Sequence, residues 1–172
     1  MAKKKKKKDL VASGASGFEA VWSAMEEDIF DAEEDGPAPA TLGYLQLCME
    51  RRYHKKVQTV FGEMSGLKPT EYWIHSDAGG APKMEAEENR AAYAYENGAR
   101  KMGWSAHGAG CGGFKPPFHP HEASDDEIHS ALTATLFKKL YLYPEAEHYS
   151  VFVTTVGDGR VRVYRRGPLR LA

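Results

Sequence analysis

The sequence predicts an α/β fold: a mostly parallel central sheet flanked by helices, with an antiparallel C-terminal hairpin and an N-terminal helical arm. Three observations carry this expectation. Short apolar runs at Thr41–Met49, Glu71–His75 and Trp104–His107 have strand character. Segments of helical periodicity separate them, the order that builds a parallel sheet. A last pair of alternating runs, His148–Val156 and Val161–Tyr164, flanks Gly157-Asp158-Gly159-Arg160, the composition of a hairpin turn.

The chain has 172 residues, enough for one domain with a single core. Its formal net charge is -1, but the distribution is uneven: Lys3 to Lys8 are six consecutive lysines, and without them 17 basic residues face 24 acidic ones. A basic nucleic-acid-binding domain is therefore excluded, and no specific nucleic acid partner is expected. No apolar run approaches the ~18 residues of a transmembrane span, and no apolar segment follows the lysines as in a signal peptide. Two cysteines cannot staple a disulfide-rich secreted domain. The expectation is a cytoplasmic protein with reduced thiols.

Residues 1–15 read as a disordered Lys-rich tail, because six like charges repel. Residues 16–40 read as an amphipathic helix and a Pro-rich linker. Phe18, Val21, Trp22, Met25 and Ile29 share one helical face, and Gly36-Pro37-Ala38-Pro39 ends the segment. Residues 41–172 form the expected main domain. After the first strand, His54–Phe61 reads as a helix with Val57, Val60 and Phe61 on one side. Ser76–Pro82 reads as a turn dictated by glycine and proline. Glu85–Met102 is Ala-rich without interior proline and reads as a long helix that Gly103 ends, leaving Trp104–His107 as a short, weak strand. The run Gly108–Gly113 holds four glycines, and Lys115–Pro120 is a loop. Ser124–Leu140 is a helix opened by a capping box, with Ser124 and Glu127 three apart.

Both cysteines and one histidine fall at predicted strand ends, where ligands bind in open α/β sheets. Cys48 ends the first strand, and His107 and Cys111 flank the end of a later one. Two thiolates and an imidazole suit zinc with a fourth position open. On composition and spacing alone, the same cysteines read first as small buried apolar residues. Glu50 and Arg52 follow Cys48 at alternate positions, so an extended chain points both to one side. There the arginine can hold the carboxylate bidentately, or the two form an ordinary surface pair.

Cys48-Met49-Glu50-Arg51-Arg52 resembles the Cys-x-Asp-x-Arg motif of the β-class carbonic anhydrases. Ile74-His75-Ser76-Asp77-Ala78-Gly79-Gly80 is similar to that family's Ile-Arg-Asn-Ala-Gly-Gly turn, Ala91–Met102 to the helix before its zinc histidine, and His107-Gly108-Ala109-Gly110-Cys111-Gly112 to its His-x-x-Cys-Gly. Val151–Tyr164 is similar to its closing strand and hairpin. The likeness covers roughly residues 18 to 165. It implies Zn2+ on Cys48, His107 and Cys111, with Glu50 and Arg52 as the catalytic pair. It also implies a lyase that reversibly hydrates carbon dioxide to bicarbonate through a hydroxide held on the metal. The Phe18–Phe30 segment stands where that family has a helix that packs on a partner subunit, which implies a homodimer or a higher homo-oligomer.

Three departures mark the chain: Glu50 stands for Asp, the His–Cys spacing is one residue wider, and Ser76-Asp77 stands for Arg-Asn. Gly108 and Gly110 can absorb the extra residue, since glycine tolerates positive φ. Two alternatives stay open: a non-catalytic zinc-binding relative, and a hydrolase of COS or CS2. His75 is expected to pack at a strand end or line the site, and Asp77 to stay apart from the Glu50–Arg52 pair or to touch it. His119 and His121 are expected in an exposed loop, and His54, His129 and His148 at surface or strand-edge positions. The arginines from Arg160 to Arg170 are expected to form a solvated edge strand.

Overall fold

The structure, a computed structural model, describes residues 41–84, 89–108 and 110–171. The expected tail and N-terminal arm lie outside these residues. Among the described residues the order is β1 (Gly43–Cys48), α1 (His54–Ser65), β2 (Tyr72–Asp77), α2 (Asn89–Glu96), β3 (Lys101–His107), α3 (Asp125–Leu142), β4 (Glu147–Val156) and β5 (Arg160–Leu169). The sheet runs β2-β1-β3-β4-β5. β1 pairs in parallel with β2 and β3, β3 in parallel with β4, and β4 antiparallel with β5. This is the expected α/β architecture, mostly parallel with an antiparallel C-terminal hairpin. No described helix is long and apolar enough to cross a membrane.

Alternation along the central strands splits the core in two. Tyr44, Met102, Trp104 and Phe152 face one side, where Ala91 and Ala94 of α2 and Ile128, Leu132 and Leu136 of α3 cover them. Leu45, Leu47, Val151 and Val153 face the other, against Val57, Val60 and Phe61 of α1. Every residue of β1 is buried, as a strand with helices on both faces requires. Each of these large side chains contributes about 1.5–3 kcal/mol on leaving water.

The capped start of α3 behaves as expected, whereas α1 runs past the expected His54–Phe61 to Ser65. Ser124 Oγ accepts from the Glu127 amide at 3.3 Å, and the Ser124 amide donates to Glu127 Oε2 at 2.7 Å. α1 runs through Gly62 and stops at Gly66, whose φ of 73° forms the left-handed cap. In the hairpin, Val156 pairs with Arg160 across Gly157–Gly159, where Asp158 and Gly159 take φ of 66° and 71°.

The long helix expected to Met102 is corrected. α2 ends at Glu96, and Gly98 at φ 98° turns the chain. The following strand is seven residues long and nearly all buried, neither short nor weak. Gly103 lies within it and ends no helix; glycine fits there because a Cβ would run into the Phe61 ring and Leu45. The Ala-rich composition hid this change: Ala99 and Met102 suit a helix, but Asn97-Gly98 stops one and the β1 ladder claims the rest.

β5 is an edge strand, as its arginines imply. Arg160, Arg165 and Arg170 pair with Asp158, Glu63 and Glu147. His148 corrects its expected surface position, since it is fully buried beneath Trp104.

Candidate metal centre

β1 and β3 are parallel neighbours, so Cys48 and His107 leave the sheet at the same end. The chain after His107 then returns Cys111 to that end. Gly110 adopts φ 79°, so it takes the turn that the widened His–Cys spacing demands. Cys111 leads into a short turn at Gly112–Phe114, where the Phe114 amide donates to the Cys111 carbonyl at 3.0 Å.

The Ala78-Gly79-Gly80 turn makes room for this loop. Gly80, at φ 68°, lies against the Ser105 carbonyl and the Cys48 amide, and Gly113 lies against the backbone of Ala78 and Gly79. A side chain at Gly113 would push the two loops apart, and one at Gly80 would push its turn off β1 and β3.

Cys48, His107 and Cys111 are 6%, 2% and 1% exposed. One ligand atom from each lies within 4.8 Å of the other two. The sulfurs are 3.7 Å apart, and two thiolates at tetrahedral positions about 2.3 Å from zinc would be about 3.8 Å apart. His107 Nδ1 donates to the Gly108 carbonyl at 2.9 Å, which leaves the Nε2 lone pair for a ligand. That buried Nε2 has no hydrogen-bond partner among the described residues. Glu50 Oε2 is 3.3 Å away but poorly aligned for a hydrogen bond. The residues thus fit zinc in donor type, spacing and tautomer.

The two thiols differ in acidity. The Cys111 hydrogen bond, with His107 adding to it, pulls the Cys48 pKa down to about 4 against the cost of burial. Cys111 is pushed up, first by its bond to Cys48 and then by burial. Burial disfavours a charged His107, but the Cys48 sulfur and the Gly108 carbonyl outweigh it and raise its pKa. A divalent cation is the group that would let both sulfurs ionise together.

Glu50 lies beside His107 and is held by the Arg52 guanidinium. Arg52 is raised in turn, chiefly by that hydrogen bond to Glu50. The five residues expected to form the site therefore sit together.

The other expected residues lie elsewhere. His75 Nδ1 meets Gln46 Oε1 at 3.0 Å and Asp77 Oδ2 at 3.3 Å. Asp77 also pairs with Arg90 at 3.8 Å, and among the described residues no ion pair joins it to Arg52. His119 and His121 form a loop pair, with His121 on Glu127. Sequence reasoning missed Tyr53, whose ring lies against His107, and the buried Gln46, which accepts from the Tyr44 hydroxyl at 2.6 Å. A polar residue inside an apolar strand was the only signal for Gln46.

No model of a known protein family matches the chain, and no curated protein matches it significantly. Among solved structures, the chain is similar to a tetrameric β-carbonic anhydrase from Sordaria macrospora, with 13% identity over 78% of this chain and 85% of that one and a TM-score of 0.40. It is also similar to β-carbonic anhydrase isoform I from Trichomonas vaginalis, with 14% identity over 87% of this chain and 97% of that one and a TM-score of 0.39.

Proposed function

We propose that the chain is a zinc lyase that reversibly hydrates carbon dioxide to bicarbonate. The observation that carries this reading is the buried Cys48–His107–Cys111 cluster, whose Nε2 makes no hydrogen bond among the described residues, with the Arg52-held carboxylate of Glu50 beside it. Cys48, His107 and Cys111 would hold the metal. Zinc, when bound, supplies a nucleophile near neutral pH by lowering the pKa of a coordinated water to about 7. Gly108 fixes the His107 tautomer. Arg52 orients the Glu50 carboxylate, and Glu50 Oε2 is the protein oxygen placed to accept a proton there. A homodimer and a cytoplasmic location belong to the same proposal, with light scattering as the check on the dimer.

A second reading is favoured by one distance. Glu50 Oε2 is 3.3 Å from His107 Nε2, so Glu50 would be the residue to add a further ligand to a bound metal and close the site. The chain would then be a non-catalytic zinc protein. Stopped-flow hydration on protein of known zinc content decides between the two. Hydration above background is expected at one zinc per chain; loaded protein without it favours the second reading. Under the first reading COS and CS2 remain alternative substrates, and the same assay with each in place of carbon dioxide tests them.

A further inference from the structure

Tyr53 belongs to none of the motifs, yet it touches two residues of the candidate centre, His107 and Arg52. It ends the short turn Arg51–Tyr53 between β1 and α1 and is 4% exposed. Its ring lies against the His107 imidazole, with centroids 5.1 Å apart and planes at 51°. The Arg52 guanidinium sits over the same ring, 5.4 Å from its centroid. Its hydroxyl hydrogen-bonds Thr155 Oγ1, near the carboxyl end of β4.

The bond from Nδ1 to Gly108 sets the tautomer of His107 but does not by itself fix the tilt of the ring. Aiming Nε2 requires a second contact on the ring. Among the described residues, Tyr53 is the aromatic side chain that makes it. We propose that Tyr53 is a positioning residue of the centre: anchored by Thr155, its ring fixes the plane of His107 and seats Arg52, and through Arg52 the Glu50 carboxylate. Tyr53 touches no reacting atom in this role. The inference rests on Cys48, His107 and Cys111 being zinc ligands.

Tyr53 also packs in the cluster under α1, so lost stability alone would not distinguish positioning from packing. Phe61, fully buried in the same cluster, supplies the control. Two readouts on the full chain separate the roles: zinc affinity by competition with a chromophoric chelator, and the visible ligand-field spectrum of the cobalt(II)-substituted protein. Tyr53→Leu should weaken zinc about 10- to 100-fold and shift the cobalt bands. Phe61→Leu should lower the melting temperature and leave both readouts unchanged. Tyr53→Phe keeps the ring and should recover all but about threefold of the loss, the size of one hydrogen bond. Thr155→Val should match it, and the double variant should lose no more than either single one.

Wild-type affinity and spectrum in Tyr53→Leu would overturn the proposal, as would a Phe61→Leu variant that reproduces both changes. Should Tyr53→Leu not fold, the Tyr53→Phe/Thr155→Val cycle decides: shared, non-additive loss supports the role, and additive or absent loss removes it. The ligand reading is tested separately, because wild type must take up one zinc per chain and Cys48→Ser must lose it. Failure there overturns both readings, whereas success there with unchanged Tyr53→Leu removes only Tyr53.

Discussion

His148 and Cys48 sit at opposite ends of the sheet and obey opposite electrostatics. Cys48 is held as an anion by Cys111 and His107, whereas His148 is held neutral. Trp104 Nε1 donates to His148 Nδ1 at 3.0 Å, and His148 Nε2 donates to the Tyr143 carbonyl at 2.9 Å. A proton on Nδ1 would break the Trp104 bond in a site closed to water. Burial therefore lowers the His148 pKa below its ordinary 6.5, with Tyr143 opposing the shift. Below pH 6.5 the unfolded chain takes up a proton that the folded chain refuses, so stability is lost as pH falls from 6.5 through the depressed folded value. The slope is at most about 1.4 kcal/mol per pH unit. Urea midpoints of wild type between pH 6.5 and 5 should fall more steeply than those of His148→Gln; parallel slopes would refute this account. At the centre itself, Cys48→Ser should abolish zinc uptake, measured by metal analysis. Glu50→Ala should keep the metal and lower hydration about 10- to 100-fold. Cys48 and His107 were legible because strand ends can be read from composition. His148 was not: its strand was plain, but which face would meet Trp104 was set by residues over 40 positions away.

At the scale of the element, glycines set the geometry of the site. Gly66 and Gly80 both take positive φ, 73° and 68°, but only Gly80 is crowded. Gly66→Ala should cost about 1 kcal/mol, the conformational penalty alone. Gly80→Ala adds a clash with the Ser105 carbonyl beside the Cys48 amide, so it should cost at least about 2 kcal/mol and also weaken zinc. Denaturant unfolding of both variants, with a zinc competition assay, checks the contrast. The capping box of α3 was legible because Ser124 and Glu127 act within four residues, and Ser124→Ala should cost about 1 kcal/mol by the same unfolding measurement. The end of α2 was not legible. Ala91–Met102 is Ala-rich apart from the Asn97-Gly98 stop, and only pairing of Lys101–Trp104 with β1 shows that the chain resumes as strand and not as helix.

At the scale of the whole molecule, the candidate centre joins two parallel strands and the loop that follows the second. Zinc bound there would tie together segments that lie 63 residues apart in sequence. Ligand linkage puts the stabilisation at about 2.7 kcal/mol when free zinc is 100 times its dissociation constant. Chelation should then lower the melting temperature by about 5–10 °C for a chain of this size. Calorimetry with and without chelator measures it, and an unchanged transition would count against a bound structural tie. The residues alone determined the order of strands and turns, the start of the capped helix, and which side chains have the chemistry of a zinc site. These signals are local, carried by periodicity and by glycine within a few positions. Tertiary structure alone decided the strand order β2-β1-β3-β4-β5, the full length of β3, the burial of His148 and the contact of Tyr53 with His107. Those depend on which distant segments share a ladder or a face, and burial free energy rewards that choice only once the whole sheet has assembled.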